Sequence, residues 1–425
     1  MASRQPDLPD IHYTMRLSVP SANVNPEAPS VALILPYPLD PKVGGVQRST
    51  WELGHCLARR GWEVTYVSLA PSGHRQPELG QLVKPAHLLP GQMSAVRDFL
   101  RPVIAERRPT AVVNQIAMSM PIADALAELR REGARFGVVG CYRLNPAMYR
   151  DNHRHILAHQ LRDRPILRGL AASPLGARMA LHLHRLRNRP RFRDAIERCD
   201  RFMLLSPTFF DELAWYVPDV DEQQLVAIPN GFPPPAITNG ALRRNRLLYV
   251  GRMENAQKNI FVIPEIWARL QNRLPDWELH LVGHGEDRSE LERRVAAHRL
   301  ERVYFHGRMD PEEHYRAARM FLMLSTYEGF GNTLIEAQMH GVVPIAFDSY
   351  SAIRWMLNHD RDALLVPPFD LDAFSEAICS LATDRDRIEA MSVAAISNAA
   401  RFSDVALGDR WEAALHDAIC RAHKA

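Results

Sequence analysis

At 425 residues the chain is long for one domain, and two domains of roughly 200 residues each are expected. Apolar residues make up 46% and charged residues 24%, an ordinary soluble composition, and a net charge of +3 calls for no nucleic-acid partner. The five cysteines (Cys56, Cys141, Cys199, Cys379 and Cys420) are odd in number and lack any Cys-x-x-Cys pair, which argues against a disulfide framework or a zinc site and fits a reducing cytoplasm.

Residues 1–28 carry prolines and polar groups but no apolar h-region, so they read as a disordered tail and not a signal peptide. Strands are predicted at Val31–Leu35, Glu63–Ser68, Thr110–Gln115, Phe136–Cys141, Arg201–Leu205 and Leu225–Ile228. The Pro/Gly-rich run Pro229–Pro235 then marks a linker over about residues 229–245. A second series follows at Leu247–Val250, Glu278–Val282, Val303–His306, Phe321–Leu324, Val343–Ala346 and Ala363–Val366. Helices fill the gaps, among them Val262–Arg273, Asn332–His340 and Leu371–Ala382, the last with apolar residues at 371, 374, 378 and 381. Short apolar runs alternating with helices predict stacked βαβ units and parallel sheets. A final helix over about Val405–His423 is expected to pack back across the first domain. No apolar run reaches the ~18 residues of a membrane span.

One stretch departs from this composition. Residues 150–201 hold 13 Arg and 5 His against 5 Asp and Glu, interleaved with Ile, Leu and Met. This is either a solvated helical insertion or a surface for anionic lipid or an acidic acceptor. Nothing in the spacing of His153, His155 and His159 places them in a cleft.

The chemistry concentrates at Glu328-Gly-Phe-Gly-Asn-Thr-Leu-Ile-Glu336. A strand that turns on Gly329, Phe330 and Gly331 into a helix gathers free N–H groups and a positive helix end, a site suited to phosphate. Glu336, one turn inside, can accept from ribose hydroxyls, and Glu328 can reach a bound sugar. Four further segments align with it. Gly44-Gly45 lies at the turn after Val31–Leu35, where a backbone can approach a ligand closely. Arg252 and Lys258 follow Tyr249-Val-Gly251, two cations at a strand's carboxyl end that fit a diphosphate. Leu281-Val-Gly-His-Gly285 is another glycine turn, and Val303-Tyr-Phe-His306-Gly307 offers a strand edge for a base. Singly, each of these is as well explained as a steric glycine, a turn histidine or a solvated cation.

Together they resemble the retaining glycosyltransferases of family 4 (glycosyl transferases group 1). The resemblance covers about residues 30–420 and is strongest over 247–368, through Val250-Gly-Arg-Met253 with Lys258, Phe305-His-Gly307, Glu328 to Ala337, and Gly341-Val-Val-Pro344. It implies the α/β GT-B fold, with two facing Rossmann-like, doubly wound domains at 29–235 and 240–404 and residues 405–425 crossing back. Carried over, Arg252 and Lys258 hold the donor diphosphate, Glu328 contacts sugar hydroxyls, amides at Gly331, Asn332, Thr333 and Leu334 cap the phosphates, and Glu336 takes the ribose. Gly45 meets the donor from the opposite domain. The family usually places a histidine after the strand that here ends at Cys141. This chain reads Cys141-Tyr-Arg143, so Arg143 stands in its place.

The implied activity is transfer of a sugar from a nucleoside diphosphate sugar, a UDP-sugar by preference, to a glycan or lipid-linked acceptor in surface polysaccharide or lipopolysaccharide assembly. The nucleotide sugar is a substrate, so no cofactor is expected, and no catalytic metal is expected either. A cytoplasmic enzyme, with 150–200 as a contact for an anionic membrane face, is the expectation. A GT-B phosphorylase, a nucleotide-sugar epimerase or a non-catalytic sugar-nucleotide-binding protein stays open as an alternative.

Overall fold

Every apolar run singled out along the chain becomes a strand. The structure, a computed structural model, describes residues 28–41, 44–69, 82–83, 93–161, 164, 169, 173–234 and 243–424; residues 1–27, and so the expected tail, lie outside it. In the first half the strands are β1 (Ser30–Leu35), β2 (Glu63–Ser68), β3 (Leu82–Val83), β4 (Ala111–Asn114), β5 (Gly137–Tyr142), β6 (Arg201–Leu204) and β7 (Leu225–Ala227). The second half supplies β8 (Arg246–Val250), β9 (Glu278–Val282), β10 (Val303–Gly307), β11 (Met320–Met323), β12 (Val343–Phe347) and β13 (Leu364–Val366). All pairings are parallel, in the orders β3-β2-β1-β4-β5-β6-β7 and β10-β9-β8-β11-β12-β13. Helices cover both faces, so side chains of either parity are buried; Val31 to Leu35, for example, lie wholly inside the core.

Both orders reverse beside their first strand, between β1 and β4 and between β8 and β11. At such a switch point adjacent βα turns diverge to opposite faces and leave a crevice at the strands' carboxyl ends. The glycine-rich turns read from sequence follow β1, β8, β9 and β11, and so stand at those ends. This is the expected GT-B architecture.

The C-terminal helix, Asp404–Lys424, returns to the first sheet. Arg59 pairs with the buried Asp404, Arg60 with Asp409 and Glu412 at 2.7 and 2.6 Å, and Trp62 Nε1 donates to Glu412 at 3.1 Å. One expectation is corrected. The helix expected over Val262–Arg273 starts as a 3-10 turn at Ile260–Val262 and is α-helical only over Ile263–Leu270, framed by Pro264 in its first turn and Pro275 beyond its end. Part of the linker is packed. Phe232 is buried, donates its N–H to the Phe402 carbonyl at 3.1 Å and accepts from Asp404 N at 2.9 Å.

Candidate functional site

β11 runs out through Ser325 and Glu328 into the glycine turn and the Asn332–Met339 helix. Gly331 has φ +89°, a left-handed conformation, and a Cβ there would lie 2.7 Å from the Tyr350 hydroxyl. Gly329 is required by close approach, since its Cβ would stand 2.4 Å from the Arg143 carbonyl oxygen. The two halves of the chain therefore touch at this turn. The N–H groups of Asn332 and Thr333, in the helix's first turn, have no intrahelical acceptor.

Around Glu328 the expected residues come together. Its carboxylate forms an ion pair with Lys258, accepts from Ser325 Oγ at 2.6 Å and accepts from Gln257 Nε2 at 3.3 Å. Arg252, largely exposed, pairs with Glu254 at 2.8 Å and donates to Gln257 Oε1 at 3.1 Å. Gly251 is fixed by its N–H to the Val282 carbonyl at 3.0 Å. Lys258 closes a one-turn helix, Asn255–Lys258, against a left-handed Asn259, which turns its ammonium to the sheet's carboxyl end.

Glu336 lies one turn inside its helix and is nearly buried. Its carboxylate accepts from Arg48 Nη1 at 2.8 Å and from the Tyr315 hydroxyl at 3.1 Å. Burial, with the Glu336 charge behind it, holds the Tyr315 hydroxyl well above its usual range. Arg48, Tyr315 and Glu336 line a cleft of about 240 Å³ with Pro233, Asp310 and His340. Arg48 was missed from sequence; it is three residues past Gly45 on the first turn of the Gly45–Arg59 helix, and that spacing was the available signal.

Gly44 precedes this helix in an extended conformation, and its carbonyl accepts from Arg48 N at 3.0 Å. Gly45 stands against Asn332, whose Nδ2 would be 3.2 Å from a Cβ there. Asn332 Oδ1 accepts from Asn230 Nδ2 at 2.8 Å, and Asn230 Oδ1 accepts from Arg143 Nη1 at 2.6 Å. Arg143 Nε donates to Gln115 Oε1 at 3.1 Å. Arg143 is thus no surface arginine. It is buried at the end of β5 among neutral amides, and burial draws its pKa down. Phe330 is buried against Phe402.

Two histidine readings change. The His306 ring meets His280 and His314 instead of the Glu328 group, with Nε2 2.9 Å from His280 Nδ1. Burial holds all three rings below the ordinary histidine range. His153, in contrast, lies with Asn152, Asn259, Thr326 and Phe369 around an open cleft of about 570 Å³ beside Lys258. The side chains of His155 and His159 lie outside the described residues.

Comparison with known proteins matches both halves. The family described as "Glycosyltransferase Family 4" matches residues 43–234, and "Glycosyl transferases group 1" matches residues 244–384. An exopolysaccharide phosphotransferase of Streptomyces coelicolor is 26% identical over 198 residues, 46% of this chain and 20% of that protein. A phosphatidyl-myo-inositol mannosyltransferase of Mycobacterium tuberculosis is 32% identical over 195 residues, 42% of this chain and 50% of that protein. The chain thus spans half or less of the length of these curated relatives. Among solved structures, Anabaena HepE in complex with UDP and glucose superposes with a TM-score of 0.68 at 14% identity, over 91% of this chain and 99% of that one. That likeness is one of fold.

Proposed function

The chain belongs to the group 1, family 4 glycosyltransferases, and on that premise we propose that it moves a sugar from a nucleoside diphosphate sugar to a glycan or lipid-linked acceptor with retention of configuration. The observation that carries the reading is the Lys258–Glu328 pair at the mouth of the Asn332–Met339 helix, with Glu336 one turn inside. Arg252, Lys258 and the helix end hold the diphosphate, where charge grows as the glycosidic bond breaks. Glu328, with Oε1 engaged by Lys258 and Ser325, holds sugar hydroxyls and does not attack. The acceptor oxygen bonds to the anomeric carbon on the face that the phosphate leaves, and the acceptor proton passes to the departing phosphate oxygen. A UDP donor and a surface-polysaccharide or lipopolysaccharide acceptor are favoured, in keeping with the UDP bound to HepE and the exopolysaccharide named for the Streptomyces relative.

A thermal-shift panel of nucleotide sugars, followed by transfer assays, tests this. The matching donor at about 100 times its Kd should stabilise the protein by about 2.7 kcal/mol. No shift with any nucleotide sugar would overturn the reading.

Arg143 acts in this reading as a positioning residue through Asn230 and Asn332. Arg143→Ala should lower transfer at least about tenfold while donor Kd stays within about twofold, since small misplacements at a reacting centre cost more in rate than in binding. Asn230→Ala should reproduce part of the loss. Equal losses in donor affinity and in rate would contradict a positioning role.

We place the acceptor side at a membrane surface. No helix of the described residues is long and apolar enough to cross a membrane. The Pro174–Glu197 helix instead turns Leu175, Met179, Leu183 and Leu186 outward, each more than half exposed. At about 100° per residue these four fall within roughly 80° of arc. Exposed Arg178 and Arg189 flank one edge and Arg187 and Arg191 the other. An apolar stripe bordered by arginines suits an interfacial helix on anionic lipid. Each engaged arginine contributes about 1 kcal/mol, screened by salt. The protein should sediment with anionic vesicles, release in high salt, and bind more weakly as the Met179→Ser/Leu183→Ser variant. Equal binding to neutral vesicles would refute the arginine contribution.

A further inference from the structure

We propose that His280, His306 and His314 form a site for one divalent transition-metal ion of the zinc class, separate from the diphosphate site. The residues come from three elements: β9, the edge strand β10, and the short helix Glu312–Ala317. One ring nitrogen from each can be chosen so that all lie within 4.8 Å of one another. The His280 and His306 rings are stacked at 5.0 Å between centroids, and the His306 and His314 rings lie 4.1 Å apart. Zinc–nitrogen bonds of about 2.0–2.1 Å in tetrahedral geometry put ligand nitrogens about 3.4 Å apart, so side-chain rotation alone closes the set.

The surroundings favour a metal over a plain polar network. His280 Nε2 is 3.0 Å from Glu278 Oε2, and Glu278 is held in turn by Arg246 at 3.0 Å. That carboxylate takes the Nε2–H of His280 and so leaves the Nδ1 lone pair facing His306 Nε2, 2.9 Å away. A carboxylate that fixes the tautomer of a ligand histidine is the usual outer partner of such sites. Three imidazoles suit zinc, copper or nickel better than magnesium or calcium. His280 is buried while His306 and His314 are partly exposed, which leaves an entry path and a position for water.

The site would pin an edge strand and a six-residue helix that bury little surface of their own. That helix carries Tyr315, whose hydroxyl donates to Glu336. Metal occupancy therefore bears on the pocket assigned to ribose, although metal binding itself can be measured whether or not the proposed transfer reaction is correct.

The test uses full-length, untagged, chelator-treated protein with Cys420→Ser, which removes an exposed thiol. Zinc calorimetry should give one ion per chain, and Co²⁺ should give the visible bands of four-coordination. His306→Ala and His314→Ala, both at partly exposed positions, should each abolish the cobalt bands. Glu278→Gln should weaken zinc binding about tenfold or more. Zinc should raise the Tm of the parent but not of His314→Ala, and should slow amide exchange across 304–317. No stoichiometric zinc binding, or parent-like binding by both histidine variants, would overturn the proposal.

Discussion

Lys258→Ala should lower turnover by about 10²–10³-fold, because it removes a charge placed against the leaving diphosphate. The ammonium is paired with Glu328, and both side chains are largely shielded from water, so two effects combine. The leaving group loses stabilisation, and Glu328 is left as an uncompensated carboxylate that repels the incoming phosphates. Lys258→Ala/Glu328→Gln separates them. It should recover donor binding by removing the repulsion, yet leave turnover low because the cation is still missing. Lys258→Arg should restore only part of the rate, since a planar fork replaces a point charge. These are measured as kcat at saturating donor and acceptor, with Tm as the control for folding. A Lys258→Ala enzyme within about threefold of the parent would remove Lys258 from the reaction, because losing a preorganised charge at the reacting group costs far more.

How much of this was open to reading depends on how local the cause is. Parallel strands covered by helices on both faces are short apolar runs between turn residues, so β2 and β9 are legible to the residue. The Glu328–Glu336 turn is legible because strand, glycines and helix are contiguous. β3 is only two residues long and carries no periodicity. Arg48 and Glu336 are 288 positions apart, so the spacing of Arg48 from Gly45 sets it near the glycine turn without naming its partner. Asn230 lies in a run that reads only as a Pro/Gly-rich linker, yet it fills the junction between Arg143 and Asn332. The three histidines of the second sheet were invisible as a group for the same reason. They meet through strand register and one short helix, and His306 alone read as a base contact.

Glu336→Ala should weaken donor binding by roughly 1.5–3 kcal/mol, or about 10–150-fold in Kd, through the loss of charged hydrogen bonds to ribose. In the structure this carboxylate already accepts from Arg48 and Tyr315. A carboxylate offers about four lone-pair positions, so two remain for the ribose hydroxyls without breaking the contact between the halves. Arg48 then acts as a neutralising neighbour, and Arg48→Ala should weaken donor binding by less than Glu336→Ala. If Arg48 instead blocks the ribose, Arg48→Ala should bind donor more tightly than the parent. The assignment of Glu336 is settled by changing ligand and protein together. A donor lacking the ribose 2′ and 3′ hydroxyls should bind the parent more weakly by nearly the amount that Glu336→Ala costs. The same deoxy donor should bind Glu336→Ala almost as well as the ordinary donor does, because the interaction is then already gone. Additive losses in this cycle would mean that Glu336 and the ribose do not meet, and that the carboxylate serves only to join the two halves through Arg48.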